Sequence, residues 1–558
     1  MLKPGMNLDI MISLIFTVLF IIKTVVGAPT QINDIAEIEI IGNKFFESTT
    51  GNQFFMKGIA YQPSRSMKEL EAAEGTYETK YIDPLADPEI CLRDIPFLQE
   101  LGVNTIRVYS IDPTKSHDEC MDALSEAGIY VLLDLAEPDV SIPRDRPVWD
   151  VNIWKRYKDV VDAMHKYPNI LGFFAGNEVT NDKTNTHASP FVKAAIRDVK
   201  EYIKSQKYRK IPVGYSSNDD ADTRENLAQY FACDDDHADF YGVNMYEWCG
   251  YSSYGTSGYK ERTEEFEDYP LPIFFSEFGC NLVRPRPFTE VGALFGPKMS
   301  KIWSGGLAYM YFEEENEYGV VKVNDNGDVE KLDDFEYLRN EYMKAKPQGI
   351  QKKEYASSER NKNVKCPSIG ASKDWKASNK VPPKPDVEKC DCLGKYLPCL
   401  VVPYDDSTKY QEIFDTVCSK VNCSDIMTDG SSGIYGQFAD CSTEQKLALQ
   451  ISKLYAINNA AHSANDNGGS ICPFAGKNVY FNNQYKRLSN DAKCSKFGFD
   501  FMNFQSNTSP SGTTVENEDN KVTTEVPTTK AGSGSVTQYK NSGYAILFVT
   551  VFIASLLL

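Results

Sequence analysis

The sequence predicts a TIM (β/α)8 barrel followed by a small disulfide-rich, mainly helical module, and two observations carry that expectation. Between about Asn43 and Phe335, short β-branched or aromatic runs alternate with longer helical stretches through eight candidate strands. Nine of the fourteen cysteines then crowd between Cys366 and Cys494, whereas Cys91, Cys120, Cys233, Cys249 and Cys280 are scattered upstream.

In chain order the candidate strands are Phe54–Ala60, Asn104–Tyr109, Tyr130–Leu135, Ile170–Ala175, Ile211–Ser216, Phe240–Tyr246, Ile273–Ser276 and Leu307–Phe312. Most are dominated by apolar residues, as strands covered on both faces must be. Helical stretches separate several of them, at Cys91–Leu101, Glu119–Ala127, Val151–Lys166 and Ser189–Lys204. Eight such units in about 300 residues fit a closed barrel. A doubly wound open sheet is the competing fold, but no Gly-rich dinucleotide turn or P-loop follows the first strand.

The flanks divide the remaining chain. Lys3, the apolar run from Met11 to Ile22, and small residues up to Gly27 and Ala28 read as a secretory signal peptide over 1–27. The barrel is expected over 28–345, a Lys-, Glu-, Ser- and Pro-rich connecting segment over 346–388, and the Cys-rich module over 389–500. A Ser/Thr-rich stalk follows over 501–533. The last part, 534–558, reads as a glycosylphosphatidylinositol (GPI) signal that is removed. It has a polar spacer at Lys540–Ser542 and an uncharged apolar tail from Ala545 to Leu558. The small residues Gly532, Ser533 and Gly534 are the candidates for attachment. A peptide tail anchor is the alternative, but the tail is short for a membrane span.

Composition narrows the function. A formal charge of −19 over 558 residues excludes nucleic acid and anionic lipid as main partners, while 32 tyrosines suit a hydroxyl-rich polysaccharide. An even cysteine count in a secreted chain reads as a disulfide framework. Sequons stand at Asn422 and Asn507, both outside the barrel.

In such a barrel the chemistry sits where strands end. The fourth candidate strand runs into Asn177-Glu178 and the seventh into Glu277-Phe278-Gly279. Two carboxyls facing each other over a barrel mouth are what glycosidic cleavage needs: one protonates the leaving oxygen, the other attacks or activates water. Other chemistries lack parts. The five histidines have no metal-ligand spacing, and no G-x-S-x-G elbow is present. No metal or cofactor is expected. The acidic run Glu313–Glu317 reads more readily as solvated than as a cation site.

The stretches Gly172–Val179, Ile211–Asp220, Asn244–Gly250 and Phe275–Cys280 closely resemble the fungal β-1,3-glucanosyltransferases of glycoside hydrolase family 72, the Gas/Gel/Phr enzymes. The match spans about residues 40–345. The Cys-rich segment is similar to the carbohydrate-binding module of the longer branch of that family, through Tyr435-Gly436 and Asp440-Cys441-Ser442. The resemblance implies Glu178 as acid/base and Glu277 as nucleophile. It also implies Tyr109, Asn177, Asp219, Arg224 and Tyr309 as glucan contacts. Asp134 and Tyr246, at further strand ends, are plausible additions. By the same resemblance the cysteines pair as Cys91–Cys120, Cys233–Cys366, Cys249–Cys280, Cys390–Cys441, Cys392–Cys494, Cys399–Cys472 and Cys418–Cys423.

The implied activity is retaining transfer, with β-1,3-glucan as donor and acceptor, by a monomer at the outer face of the plasma membrane and in the cell wall. An endo-β-1,3-glucanase using the same residues, and a non-catalytic glucan-binding wall protein, are the alternatives. The residues alone do not separate transfer from hydrolysis, because these differ only in the acceptor.

Overall fold

The structure is a computed structural model that describes residues 35–65, 81–355, 364–370, 374–404, 406, 408–462, 471–476, 478–484 and 492–497. The expected signal peptide, stalk and GPI signal, with Asn507 and the attachment candidates Gly532, Ser533 and Gly534, lie outside the described residues.

An antiparallel hairpin comes first, β1 (Ile38–Ile41) with β2 (Lys44–Glu47). Eight parallel strands then close into a barrel: β3 (Met56–Ala60), β4 (Thr105–Val108), β5 (Tyr130–Asp134), β6 (Ile170–Asn177), β7 (Val213–Asn218), β8 (Tyr241–Cys249), β9 (Ile273–Cys280) and β10 (Trp303–Ala308). Each strand pairs with the next in sequence, and β10 returns to β3, with Gly305 opposite Met56. The fold is the TIM barrel that the alternating pattern predicts.

The hairpin plugs the end of the barrel at which the strands begin. Phe45 reaches the rings of Phe240 and Phe274 at 6.4 and 6.1 Å. With Ile38, Met56, Leu132, Phe174 and Leu307 these residues form a buried apolar floor. Each such side chain contributes roughly 1.5–3 kcal/mol by leaving water. The hydrophobic floor excludes water from below, so the polar groups of the interior collect at the opposite end.

Several strands begin or end a few residues from their expected spans, and the eighth is displaced furthest. The eighth was expected at Leu307–Phe312 and occupies Trp303–Ala308. Ser304-Gly305-Gly306 reads as poor strand sequence, yet the backbone there requires glycine. Gly305 has φ +95°, and a Cβ on it would lie 2.2 Å from the Met56 carbonyl oxygen. Close approach to β3 outweighs local propensity.

The outer helices follow their patterns. In α1 (Pro88–Leu101) the Asp87 side chain accepts from the Glu89 amide, and the left-handed Gly102 ends the helix. Next are α2 (Asp118–Glu126), α3 (Val151–Met164) and α4 (Ser189–Ser205). In α3, Ile153, Trp154, Tyr157, Val160, Val161 and Met164 are buried, a 3.6-residue stripe toward the barrel. Two shorter helices, α5 (Arg224–Ala232) and α6 (Tyr259–Glu265), follow β7 and β8.

Described residues of the connecting segment lie on the barrel. Trp375 and Ala377 are buried, Tyr230 donates to the Ser378 carbonyl at 2.6 Å, and Cys233 is bonded to Cys366. Beyond it the module is built on α7 (Val387–Tyr396), α8 (Thr408–Cys418) and α9 (Thr443–His462), with a small pairing of β11 (Cys399–Val401) and β12 (Val479–Phe481). Leu447, Ile451, Val417 and Cys399 centre its core. All fourteen cysteines are paired: Cys91–Cys120, Cys233–Cys366, Cys249–Cys280, Cys390–Cys441, Cys392–Cys494, Cys399–Cys472 and Cys418–Cys423. The module packs against the first turns of α3 and α4. The Val151 amide donates to the Asp440 carbonyl at 2.9 Å, and Phe191 meets Tyr435 edge-on at 5.6 Å. Asn422 is exposed on the module surface. Among the described residues, no helix is long and apolar enough to cross a membrane.

Candidate active site

Where the apolar floor ends, a charged layer begins. Arg107, inside β4, is fully buried, and its guanidinium organises the barrel mouth. Nε and Nη2 donate to the two oxygens of Asp134 at 3.0 and 2.9 Å. Nη2 also donates to Oδ1 of Asn177 at 3.0 Å, and Nη1 to Oε1 of Glu277 at 3.3 Å. The cation lies 4.4 Å from the Phe174 ring centre and 4.5 Å from that of Tyr109. A buried charge must be paired, and here the pairing orders three side chains at once.

Glu277, on β9, receives two further donors. The Tyr109 hydroxyl donates to Oε1 and the Tyr246 hydroxyl to Oε2, each at 2.9 Å. Burial pushes the Glu277 carboxyl up to about 7; Arg107 pulls it down, the Glu178 charge pushes it up, and the phenols of Tyr246 and Tyr109 pull it down. Burial also pushes the phenols of Tyr109, Tyr246 and Tyr309 far above their ordinary value, and the Glu277 charge adds to it. All three therefore stay neutral, and Tyr109 and Tyr246 act as donors.

Glu178 follows β6 in a left-handed conformation, with φ +48°. A non-glycine residue there is strained by roughly 1–3 kcal/mol, and its neighbours hold it. The Glu178 amide donates to the Ser216 carbonyl at 2.8 Å, and Arg144 donates to the carbonyls of Glu178 and Val179 at 2.7 and 3.2 Å. The side chain is oriented by Asn244 of β8, whose Nδ2 donates to Oε1 of Glu178 at 2.8 Å and to Oδ1 of Asn177 at 3.2 Å. The amide of Asn244 is fixed in turn, because Ser216 and Ser276 donate to its Oδ1 at 3.1 and 2.8 Å. Asn244 pairs in register with Glu277, so the residue that orients one carboxyl is the strand neighbour of the other.

The other expected residues divide into two places. Tyr309 follows β10, 5.3 Å ring to ring from Tyr318, which also lies 6.0 Å from Tyr246. Asp219 and Arg224, after β7, pair at 2.8 Å and continue into a cluster with Glu247, Arg262 and Glu265. Asp134, expected as a glucan contact, is buried with both oxygens held by Arg107. Burial raises its carboxyl and Arg107 lowers it, so its place is beneath the cleft. The acidic run forms ion pairs, Glu317 and Glu313 lying 3.2 and 3.6 Å from Arg284.

Sequence reasoning passed over Arg107, Asn244, Ser216, Ser276 and Tyr318. The signal for Arg107 was available: an arginine amid the apolar residues of a strand covered on both faces needs a buried partner, and Asp134 ends the neighbouring strand.

A family model described as Glucanosyltransferase matches residues 28–346, and one described as X8 domain matches 397–479. The chain is 58% identical over 529 residues to the 1,3-beta-glucanosyltransferase GAS2 of Saccharomyces cerevisiae, covering 93% of this chain and 94% of that protein. It is 48% identical over 435 residues to pH-responsive protein 1 of Candida albicans, covering 78% and 79%. The solved structure of Saccharomyces cerevisiae Gas2p in complex with laminaripentaose matches with a TM-score of 0.76 at 62% identity, over 82% of this chain and 100% of that one. An apostructure of a Gas2p mutant matches with a TM-score of 0.79 at 61% identity, over 85% and 98%.

Proposed function

The chain belongs to the glucanosyltransferases of glycoside hydrolase family 72, and from that premise we infer how its carboxyls divide the work of a 1,3-β-glucanosyltransferase. Glu277 is the nucleophile and Glu178 the acid/base. One observation carries this assignment: the donors are unequally shared. Glu277 takes Arg107 and two phenols, all of which favour the carboxylate. Glu178 takes one neutral amide on Oε1, which leaves Oε2 to carry a proton.

In the first step Glu277 attacks the anomeric carbon of the donor glucan. The glycosidic C–O bond breaks as the proton on Glu178 passes to the leaving oxygen. The charges are coupled in the useful direction, because a protonated Glu178 no longer opposes ionisation of Glu277. In the second step Glu178 takes the proton from an acceptor hydroxyl. That oxygen displaces Glu277 and restores the β configuration. Asn177, with Oδ1 pinned by Arg107 and Asn244, can donate its NH2 to the sugar 2-hydroxyl. Tyr109, Tyr246, Tyr309, Asp219 and Arg224 supply the remaining glucan contacts. Product analysis on reduced laminarin oligosaccharides tests the reading. Longer β-1,3-linked products are expected from the wild type, and none from Glu178→Gln or Glu277→Gln.

The substrate is β-1,3-glucan of the wall, as donor and acceptor, and the chain acts outside the cell, where seven disulfides are stable. The sequence supports a mature monomer of barrel (28–345), connecting segment (346–388), module (389–500) and stalk (501–533). It supports glycans on Asn422 and Asn507 and a GPI lipid on Gly532, Ser533 or Gly534. Phosphatidylinositol-specific phospholipase should release active enzyme from intact cells. A membrane-bound form still containing Leu558 decides for a peptide anchor.

A further inference from the structure

The charged cluster beside the carboxyls contains a group that this mechanism does not use. Glu247 follows Tyr246 on β8, and its Oε1 lies 3.9 Å from Nη1 of Arg224, the nitrogen that holds Asp219 at 2.8 Å. On the other side, a Cβ on Gly258 would lie 1.8 Å from Oε2 of Glu247, so only glycine there leaves room for this carboxyl. Arg262, mostly buried, approaches Oδ1 of Asp219 at 3.9 Å and pairs with Glu265 at 2.8 Å. Arg224 also reaches Glu265, at 3.5 Å. Three carboxyl groups thus meet two guanidiniums. Two buried phenols border the cluster: burial with the Glu290, Glu247 and Asp219 charges keeps Tyr259 neutral, and burial above all, with the Asp219 charge adding to it, keeps Tyr241 neutral.

We infer that Glu247 is a positioning residue for glucan binding: as a neutral acid it donates a hydrogen bond to Asp219, so that both side chains share the Arg224 nitrogen without mutual repulsion. The inference rests on the reading of Asp219 and Arg224 as glucan contacts. Two carboxylates at one guanidinium nitrogen repel each other, whereas an acid and a carboxylate attract. Burial first, and then Asp219, push Glu247 up to about 8 against the pull of Arg224. Below that pH the pair is joined by a proton and Asp219 is held for a sugar hydroxyl. Above it a third negative charge enters the cluster, the pair separates, and Asp219 leaves its position.

The test measures the Kd of laminaripentaose by calorimetry on the full chain carrying Glu178→Gln and Glu277→Gln, so that neither turnover nor the ionisation of Glu277 near 7 intervenes. Between about pH 6 and pH 9.5 binding should weaken about tenfold, the worth of one hydrogen bond to a charged group. Adding Glu247→Gln, which donates at every pH, should remove that dependence. Adding Glu265→Gln, which leaves the Asp219–Glu247 bond intact, should retain it. A Kd independent of pH without further change, a weakening that survives Glu247→Gln, or its loss in Glu265→Gln overturns the inference. Asp219→Asn on the same background separates the two readings. If it weakens binding while Glu247→Gln keeps the pH dependence, Asp219 remains a glucan contact and only the role of Glu247 falls. If it leaves Kd unchanged, the glucan reading of Asp219 falls and takes the inference with it.

Discussion

Asn244 donates a hydrogen bond to Oε1 of Glu178 at 2.8 Å while its own oxygen is held by Ser216 and Ser276. An amide nitrogen can only donate, so the oxygen it touches can only accept. On the proposed assignment of Glu178 as the acid/base, Oε2 is therefore the oxygen that carries the proton for the leaving group.

This relationship makes Asn244 testable. Asn244→Asp keeps an oxygen for both serines but turns the donor facing Glu178 into an acceptor. We expect kcat to fall roughly 100-fold, the scale of a misplaced acid/base, with a smaller change in KM. Steady-state kinetics on laminarin oligosaccharides measure it, and an unchanged kcat removes Asn244 from this role.

The phenols on Glu277 set its ionisation. Each favours the carboxylate, and burial already holds the group up to about 7. Removing a donor raises it further. Tyr109→Phe and Tyr246→Phe should each move the acidic limb of kcat/KM to higher pH, so the loss is greatest in acid. A uniform loss across the profile would mean that they contact sugar without tuning the nucleophile.

The same ionisation has a cost in stability. Below the ordinary value of 4.5 Glu277 is protonated both folded and unfolded. Between 4.5 and about 7 the folded chain holds a proton that the unfolded chain has lost, so stability falls as pH rises. Above about 7 the full cost applies, on the order of 3 kcal/mol. Glu277→Gln should therefore raise the thermal midpoint above neutral pH, and the gain should vanish below about pH 4.5. A difference independent of pH contradicts this account.

Cys249 and Cys280 end β8 and β9, just beyond Tyr246 and Glu277, and their disulfide spans 31 residues. Replacing both with serine should lower stability by about 3 kcal/mol. Because the bridge ties the two strands, kcat should fall more than KM rises. Denaturant titration and kinetics on the double variant check both parts.

The barrel and its carboxyls were legible for physical reasons. Strands covered on both faces are nearly continuous apolar runs, and Glu178 and Glu277 stand where two such runs stop. Less visible were features fixed by tertiary contact. The span of β10 depends on how near Gly305 comes to Met56. The role of Phe45 depends on a hairpin closing a barrel that forms from residues further along the chain. Asp134 stands at a strand end like Glu178 and Glu277, and what tells it apart is that Arg107 takes both of its oxygens. Asn244 lies inside a motif that the sequence displays, but its orientation comes from serines on β7 and β9.

The most direct test of the central claim is mass spectrometry of the enzyme after reaction with a 2-deoxy-2-fluoro laminari-oligosaccharyl fluoride. The fluorine slows both steps, and the good leaving group lets the first outrun the second, so the glycosyl-enzyme accumulates. The account predicts one added glycosyl on the peptide containing Ile273–Cys280, located at Glu277 and absent in Glu277→Gln. Label on Glu178, or turnover of the natural substrate with no covalent adduct at any residue, would contradict it.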